Sequence, residues 1–140
     1  MTEIIKVKTG SKLEEIASYS RLVAVDNWIY VSNTAGRNPK TKEIPEDLIE
    51  QTEQVFRNIE SALLAVDACL ADVVMSRVFI QDPADTHAVM EYIGTQFRGI
   101  NPVTTVTSPP LASSTYKVEL EVTAYRGAST AKINEIVIAP

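Results

Sequence analysis

The first third of the chain alternates between short runs of β-forming residues and turn formers. Ile5 and Val7 alternate with lysines, which is the two-residue period of a β-strand. Two further β-rich runs, residues 21–25 and 28–32, are separated only by Asp26-Asn27. This spacing predicts a β-hairpin with a two-residue turn. Turn formers then dominate up to residue 42, which predicts a loop.

A long apolar stripe follows and predicts the first helix. Pro45 suits a first helical turn, and Glu46 and Asp47 suit the positive end of the helix dipole. Apolar or small residues then recur at three- and four-residue steps, at Leu48, Thr52, Val55, Phe56, Ile59, Leu63 and Val66. This spacing places them on one helical face, so the helix should bury that face against a sheet.

A second strand–helix–strand series follows. Residues 73–80 are β-forming on both faces, as expected of a central strand. Asp82 and Pro83 predict an N-cap and a first helical position. The buried stripe of this second helix is expected at Val89, Met90, Ile93 and Phe97. Residues 103–107 predict a fifth strand.

Residues 116–125 predict the last long strand, because apolar and polar side chains alternate without a break. Glu119 and Glu121 therefore project to the same side, with Cα atoms about 7 Å apart. The alternation of apolar and polar residues alone favours two charged side chains that face solvent. The alternative is a carboxylate held in a cleft, where burial raises the pKa towards values useful for proton transfer.

The predicted order is β-β-β-α-β-α-β-β, an α+β fold with two helices on one face of a mixed sheet. Its 140 residues suit one domain, and we assign residues 1–127 to it. Residues 128–140 form a C-terminal extension that ends in a run of isoleucine and valine. Because such a run is too apolar for a solvated terminus, we expect it to pack on its own domain or on a neighbouring chain.

Charge and hydropathy exclude several classes of protein. The formal net charge is −5, whereas nucleic-acid-binding domains concentrate lysine and arginine on one face. We therefore expect no nucleic-acid partner. No stretch approaches the roughly 20 apolar residues of a membrane span, and the N-terminus lacks the pattern of a signal peptide. A cytoplasmic location without membrane contact is expected.

Few residues carry the chemistry of common enzyme classes. Cys69 and His87 are the only cysteine and histidine, which is too few for an ordinary zinc site or a catalytic triad. Cys69 is predicted to be a small buried apolar residue and His87 a solvated one. The glycine-rich phosphate-binding loops are absent from the sequence. We expect neither a cofactor nor a metal.

Several segments together resemble one protein family. Residues 38–45, 54–60 and 117–124 are similar to the YjgF/YER057c/UK114 (RidA-like, reactive-intermediate deaminase) family. Tyr19-Ser20-Arg21 and residues 26–32 resemble one subgroup of it. The resemblance covers nearly the whole domain and implies a chorismate-mutase-like fold. It also implies a homotrimer with small-molecule clefts between its subunits.

The resemblance also implies an activity. Active members of the family hydrolyse reactive enamines and imines, such as 2-aminoacrylate, to keto acids and ammonia without a cofactor. Some members have been described as translation inhibitors or endoribonucleases, a description that the acidic balance of this chain does not support.

The family's cleft residues carry over unevenly. Its tyrosine corresponds to Tyr19 and its serine to Ser32, whereas Asn33 stands in place of its glycine. The acidic residue that positions the attacking water corresponds to Glu121. Thr104 stands where the family has an arginine that holds the substrate carboxylate. A threonine hydroxyl does not reproduce that bidentate geometry, so the sequence resembles a subgroup without the usual catalytic arginine.

Two replacements for that arginine remain open. In the first, Arg21 or Arg37 reaches the cleft from another direction. In the second, which is preferred, Thr104 and Thr105 line a pocket for a neutral or differently charged ligand. Two functions follow. The first is a small-metabolite-binding trimer that hydrolyses an enamine or imine, with Glu121 activating water. The second is a non-catalytic ligand-binding or regulatory trimer that has lost this activity.

Overall fold

Six strands form one mixed sheet in a computed structural model that describes residues 1–139. The sheet order is β1-β2-β3-β6-β4-β5. Only β4 and β5 are parallel, and all other neighbouring strands are antiparallel. The strands are β1 (Ile4–Val7), β2 (Leu22–Val25), β3 (Trp28–Ala35), β4 (Val73–Ile80), β5 (Val103–Thr107) and β6 (Val118–Tyr125). This sheet confirms the predicted α+β fold class.

The predicted hairpin is confirmed, and its second strand is longer than expected. Val25 pairs with Trp28 across the Asp26-Asn27 turn. The second strand continues to Ala35 and so enters the predicted loop, because Thr34 and Ala35 pair with β6. Pairing with a distant strand extended this element, and local sequence does not show such pairing.

Residues 1–139 contain three α-helices, α1 (Lys12–Ala17), α2 (Leu48–Leu64) and α3 (Thr86–Gln96). The short helix α1 was not predicted. Its signal is the spacing of Ser11 and Glu14, the pattern of a capping box. Ser11 Oγ accepts a hydrogen bond from Glu14 N at 3.2 Å. The buried carboxylate of Glu14 accepts one from Thr9 N at 2.9 Å, so α1 is anchored to the chain before it.

The two long helices carry the predicted stripes, but each begins later than predicted. Asp47 caps α2 by accepting from Glu50 N at 3.0 Å, so Pro45 lies outside the first turn. Asp82 caps a single 3-10 turn, accepting from Ala84 N at 3.0 Å, and that turn leads into α3. The side chains buried from these helices include Val55, Phe56, Ile59, Leu63, Val89, Ile93 and Phe97, with Met90 half-buried.

The core lies between these helices and one face of the sheet. The inward positions of β6 are Val118, Leu120, Val122 and Ala124, all buried as predicted. The opposite face of the sheet is the outer face. It exposes the large side chains of Trp28, Tyr30 and Tyr125, and its polar side chains include Arg77, Glu119 and Glu121.

A buried glutamine joins α2 to the start of β6. Gln51 Nε2 donates to Pro45 O at 2.9 Å and to Thr115 O at 3.1 Å. Its Oε1 accepts from Lys117 N at 2.6 Å. A Cβ atom on Gly36 would lie 2.3 Å from Gln51 O, so the glycine permits β3 to approach this link. The link anchors the backbone of Lys117, two residues before the outer-face Glu119.

The C-terminal extension contacts its own domain at its first residues and is exposed beyond them. Ser129 N donates to Asp72 Oδ1 at 2.8 Å, but residues 131–139 form neither helix nor strand. Ile133, Ile136, Val137 and Ile138 are between 73% and 89% exposed. Residue 140 of the predicted extension lies outside the described residues.

We therefore predict that the extension packs on a neighbouring subunit. Its amides should exchange hydrogen slowly at protein concentrations that favour the oligomer and faster on dilution, because burial against a partner depends on concentration. Amide hydrogen exchange followed by mass spectrometry measures this. Fast exchange of residues 131–139 at every concentration would contradict the prediction.

Candidate functional site

A shallow cavity of about 250 Å³ lies on the outer face, where β2, β3 and β6 run side by side. Ser32 and Glu121, two of the predicted site residues, line this outer-face cavity together with Tyr30. An aromatic wall, a hydroxyl and a carboxylate suit a small polar ligand.

A bulge in β3 shapes one side of the site. Val31 pairs with Val122 and Thr34 with Leu120, so Ser32 and Asn33 together oppose the single residue between those partners. Such a bulge redirects side chains locally. Asn33 Nδ2 donates to Glu119 Oε1 at 2.5 Å. The residue that replaces the family glycine therefore binds a glutamate of β6.

The two outer-face glutamates differ in their surroundings. Glu119 lies across the sheet from Ala35 and Phe79, and burial raises the pKa of its carboxyl group. Glu121 is instead paired with an arginine, and its Oε1 lies 3.4 Å from Arg77 Nη1. A carboxyl group with a raised pKa exchanges protons more readily near neutral pH. The resemblance implies Glu121 as the acidic residue, whereas the raised pKa of Glu119 and its contact with Asn33 make Glu119 a second candidate for proton transfer.

Tyr19 lines a neighbouring cavity. That cavity, of about 640 Å³, lies beside α1, and Ser20 lines both it and the outer-face cavity. Tyr19 therefore lines the cavity next to the one lined by Ser32 and Glu121, and not the same cavity.

Thr104 lies on the opposite face of the sheet from Glu121. Its hydroxyl is 2.8 Å from the hydroxyl of buried Ser76, with which it is paired across β4 and β5. Arg77, the next residue of β4, pairs with Glu121. Successive residues of a strand project to opposite faces, so within one chain Thr104 and Glu121 do not line one cavity.

Of the two arginines considered as replacements, one reaches the site. Arg21 Nη1 donates to Ser32 Oγ at 3.1 Å and to Thr34 Oγ1 at 3.2 Å. Arg37 Nε donates to Lys42 O at 3.3 Å, within its own loop. Arg77 was not predicted as a site residue, although a single charged residue in an apolar central strand is an unusual feature.

The remaining candidates lie away from the cavity. His87 is exposed, as predicted. Cys69 is also exposed, contrary to prediction. It directly precedes a 3-10 turn, and its backbone N–H donates to the Asp72 carboxylate in that turn. Within residues 1–139, no group of three or more His, Cys, Asp or Glu side chains could hold a metal ion. Among the same residues, no helix is long and apolar enough to cross a membrane.

A six-stranded sheet with helices on one face and a polar cavity on the other defines an α+β class of small domain. A sequence profile of the family described as Endoribonuclease L-PSP matches residues 9–126. The chain belongs to this family, and the resemblance to YjgF/YER057c/UK114 proteins is confirmed.

Individual relatives cover most of the chain. A rat protein named 2-iminobutanoate/2-iminopropanoate deaminase is 29% identical over 133 residues, covering 93% of this chain and 97% of the relative. A RutC family protein of Pyrococcus abyssi is 30% identical over 112 residues, covering 79% and 88%. The crystal structure of a YjgF/YER057c/UK114 family member from Mycobacterium tuberculosis has a TM-score of 0.79 at 32% identity, covering 88% and 99%.

Proposed function

We propose that this protein binds a small metabolite in clefts between the subunits of a homotrimer and hydrolyses an enamine or imine to a keto compound and ammonia. The observation that carries the proposal is the outer-face cavity, which Ser32 and Glu121 line, with the half-buried carboxyl of Glu119 on the same face of β6. The rat relative named as an imino-acid deaminase supports the same reaction class. The cytoplasmic location expected from the sequence stays a prediction.

Glu119 supplies the proton transfers in this proposal. Its carboxylate takes a proton from water while the water oxygen bonds to the imine carbon and the C=N electron pair moves to nitrogen. The carboxylic acid then returns the proton to that nitrogen, which gives a carbinolamine. The Glu119 carboxylate next takes the hydroxyl proton of the carbinolamine and passes it to nitrogen, so that the C–N bond breaks with release of ammonia as the C=O bond forms. An enamine first becomes an imine by protonation at carbon. Asn33 orients the Glu119 carboxylate, and Glu121 orients the water from the same face.

Convergence of all the predicted site residues requires a neighbouring subunit. Thr104 lies on the helix side of β5, and every residue of that edge strand is exposed. We propose that Thr104 of one subunit faces the cavity of another, with Tyr19 and Ser32 on the second subunit.

The trimer is the next prediction. Trp28, Tyr30 and Tyr125 leave an aromatic patch on the outer face, and such a patch is costly to keep in water. Light scattering at micromolar concentration should give three times the 15.4 kDa of one chain. A mass of one chain would contradict the prediction.

The alternative is a non-catalytic ligand-binding or regulatory trimer, which Thr104 in place of arginine favours. Ammonia release from freshly generated 2-aminoacrylate separates the two functions. We expect the wild type to release ammonia faster than buffer does. A wild-type rate equal to that in buffer, with release only by Thr104→Arg, would support the non-catalytic alternative.

A further inference from the structure

Arg77 is the one charged residue of β4 and projects from the outer face. Its strand neighbour Ser76 is buried on the core side. Arg77 pairs with Glu121 on one side and with Thr105 on the other. It therefore lies between the cavity wall formed by Glu121 and the edge strand that carries Thr104.

Most N–H donors of the Arg77 guanidinium are not used by its contact with Glu121. It reaches Glu121 through one contact, Nη1 to Oε1 at 3.4 Å, whereas a strong arginine–carboxylate pair uses two parallel bonds of about 2.7–2.9 Å. A guanidinium carries five N–H donors, and the Arg77 side chain is 52% exposed. A ligand carboxylate can therefore approach this group from solvent.

Arg21 is differently engaged. Its Nη1 binds the hydroxyls of Ser32 and Thr34. Burial alone would raise the pKa of Glu14, but hydrogen bonds from Thr9 and, to a smaller extent, the charge of Arg21 lower that pKa. A buried carboxylate is stabilised by a nearby positive charge. Arg21 therefore has a structural role within its own chain.

We propose that Arg77 on β4 binds the carboxylate of the ligand. It would thus take the role of the family's arginine, whose position on β5 is occupied here by Thr104. This assignment rests on the proposed function. Glu121 holds Arg77 in place before the ligand arrives and competes with the ligand for its N–H groups. Glu119 is the diagonal neighbour of Arg77 across β4 and β6, a separation of about 7–8 Å. That separation suits a 2-oxo or 2-imino acid, whose reacting carbon is bonded to its carboxylate.

Calorimetric titration with 2-oxobutanoate tests this assignment, and its methyl ester serves as the matched neutral probe. Arg77→Gln should raise the Kd for 2-oxobutanoate about tenfold or more and leave the Kd for the ester within about twofold, because the ester carries no charge for Arg77 to bind. Arg77→Lys should be intermediate, since lysine keeps the charge but loses the planar fork. Glu121→Gln should lower the Kd for 2-oxobutanoate, because it removes the competing carboxylate.

The control is Arg57→Gln. Arg57 is also exposed, at 65%, and also pairs with a glutamate, Glu53, at 3.6 Å, but it lies on α2. Its replacement should leave both Kd values unchanged. If Arg77→Gln fails to fold, the opposite shifts of Arg77→Lys and Glu121→Gln still test the assignment.

Three results would overturn the assignment. An unchanged Kd for 2-oxobutanoate in folded Arg77→Gln contradicts it and leaves the proposed function standing. An equal loss of acid and ester binding shows that Arg77 has only a structural role. Failure of the wild type to bind 2-oxobutanoate contradicts both the assignment and the proposed function.

Discussion

Glutamine in place of Glu119 should slow ammonia release from 2-aminoacrylate by about 10²- to 10⁴-fold, the usual contribution of a general acid–base group. The amide keeps the shape of the side chain and its contact with Asn33 but neither accepts nor returns a proton. Glu121→Gln should cost less, because Glu121 is paired with Arg77. The measurement is kcat for both variants. A large loss in Glu121→Gln with Glu119→Gln unaffected would transfer the proton-transfer role to Glu121.

The free energy of unfolding, measured as a function of pH, shows whether Glu119→Gln lowers activity directly or by destabilising the fold. Burial raises the pKa of Glu119 in the folded state, so the folded protein binds its proton more readily than the unfolded chain does. The free energy of unfolding therefore falls as the pH rises from the ordinary pKa of a glutamate through the raised pKa of Glu119 in the folded state. Glu119→Gln should be at least as stable as the wild type at pH 7, and this gain should vanish in acid. A variant that is less stable at pH 7 would contradict this account of Glu119.

Leucine in place of Gln51 should lower the free energy of unfolding by about 3 kcal/mol. The change leaves the carbonyls of Pro45 and Thr115 and the N–H of Lys117 without their partner. Buried groups without partners cost about 1–3 kcal/mol each, and some recover through water. Urea unfolding at one fixed protein concentration measures the loss.

The same change at Gln96, at the half-buried end of α3, is the control and should cost less than about 1 kcal/mol. Equal effects at Gln51 and Gln96 would show that the link between α2 and β6 does not stabilise the fold. Lower ammonia release in folded Gln51→Leu is also expected, because Lys117 directly precedes the strand that carries Glu119.

Local patterns were sufficient for most of the elements. The stripe of α2, the turn at Asp26-Asn27 and the alternation of β6 each depend on neighbours in sequence. Helix α1 has a local signal too, the spacing of Ser11 and Glu14, but its six residues are too few for a readable stripe.

The candidate site could be predicted only in part, because its geometry depends on strand pairing. The sequence indicated that Glu119 and Glu121 share a face. It did not show that Thr104 faces the other way, since that depends on the register of β5, β4 and β6. Nor did it show that the bulge at Ser32 and Asn33 brings an amide to Glu119, because that shift appears only against the partner strand.

The most direct test of the central claim is a crystal structure of the protein soaked with 2-oxobutanoate. We expect the ligand in the outer-face cavity of a trimer, with its carbonyl carbon within reach of a water held by Glu119 and its carboxylate on Arg77. Thr104 of a neighbouring subunit should complete the cleft. A well-occupied ligand elsewhere, or an outer-face cavity that stays empty while the protein releases ammonia, would contradict the claim.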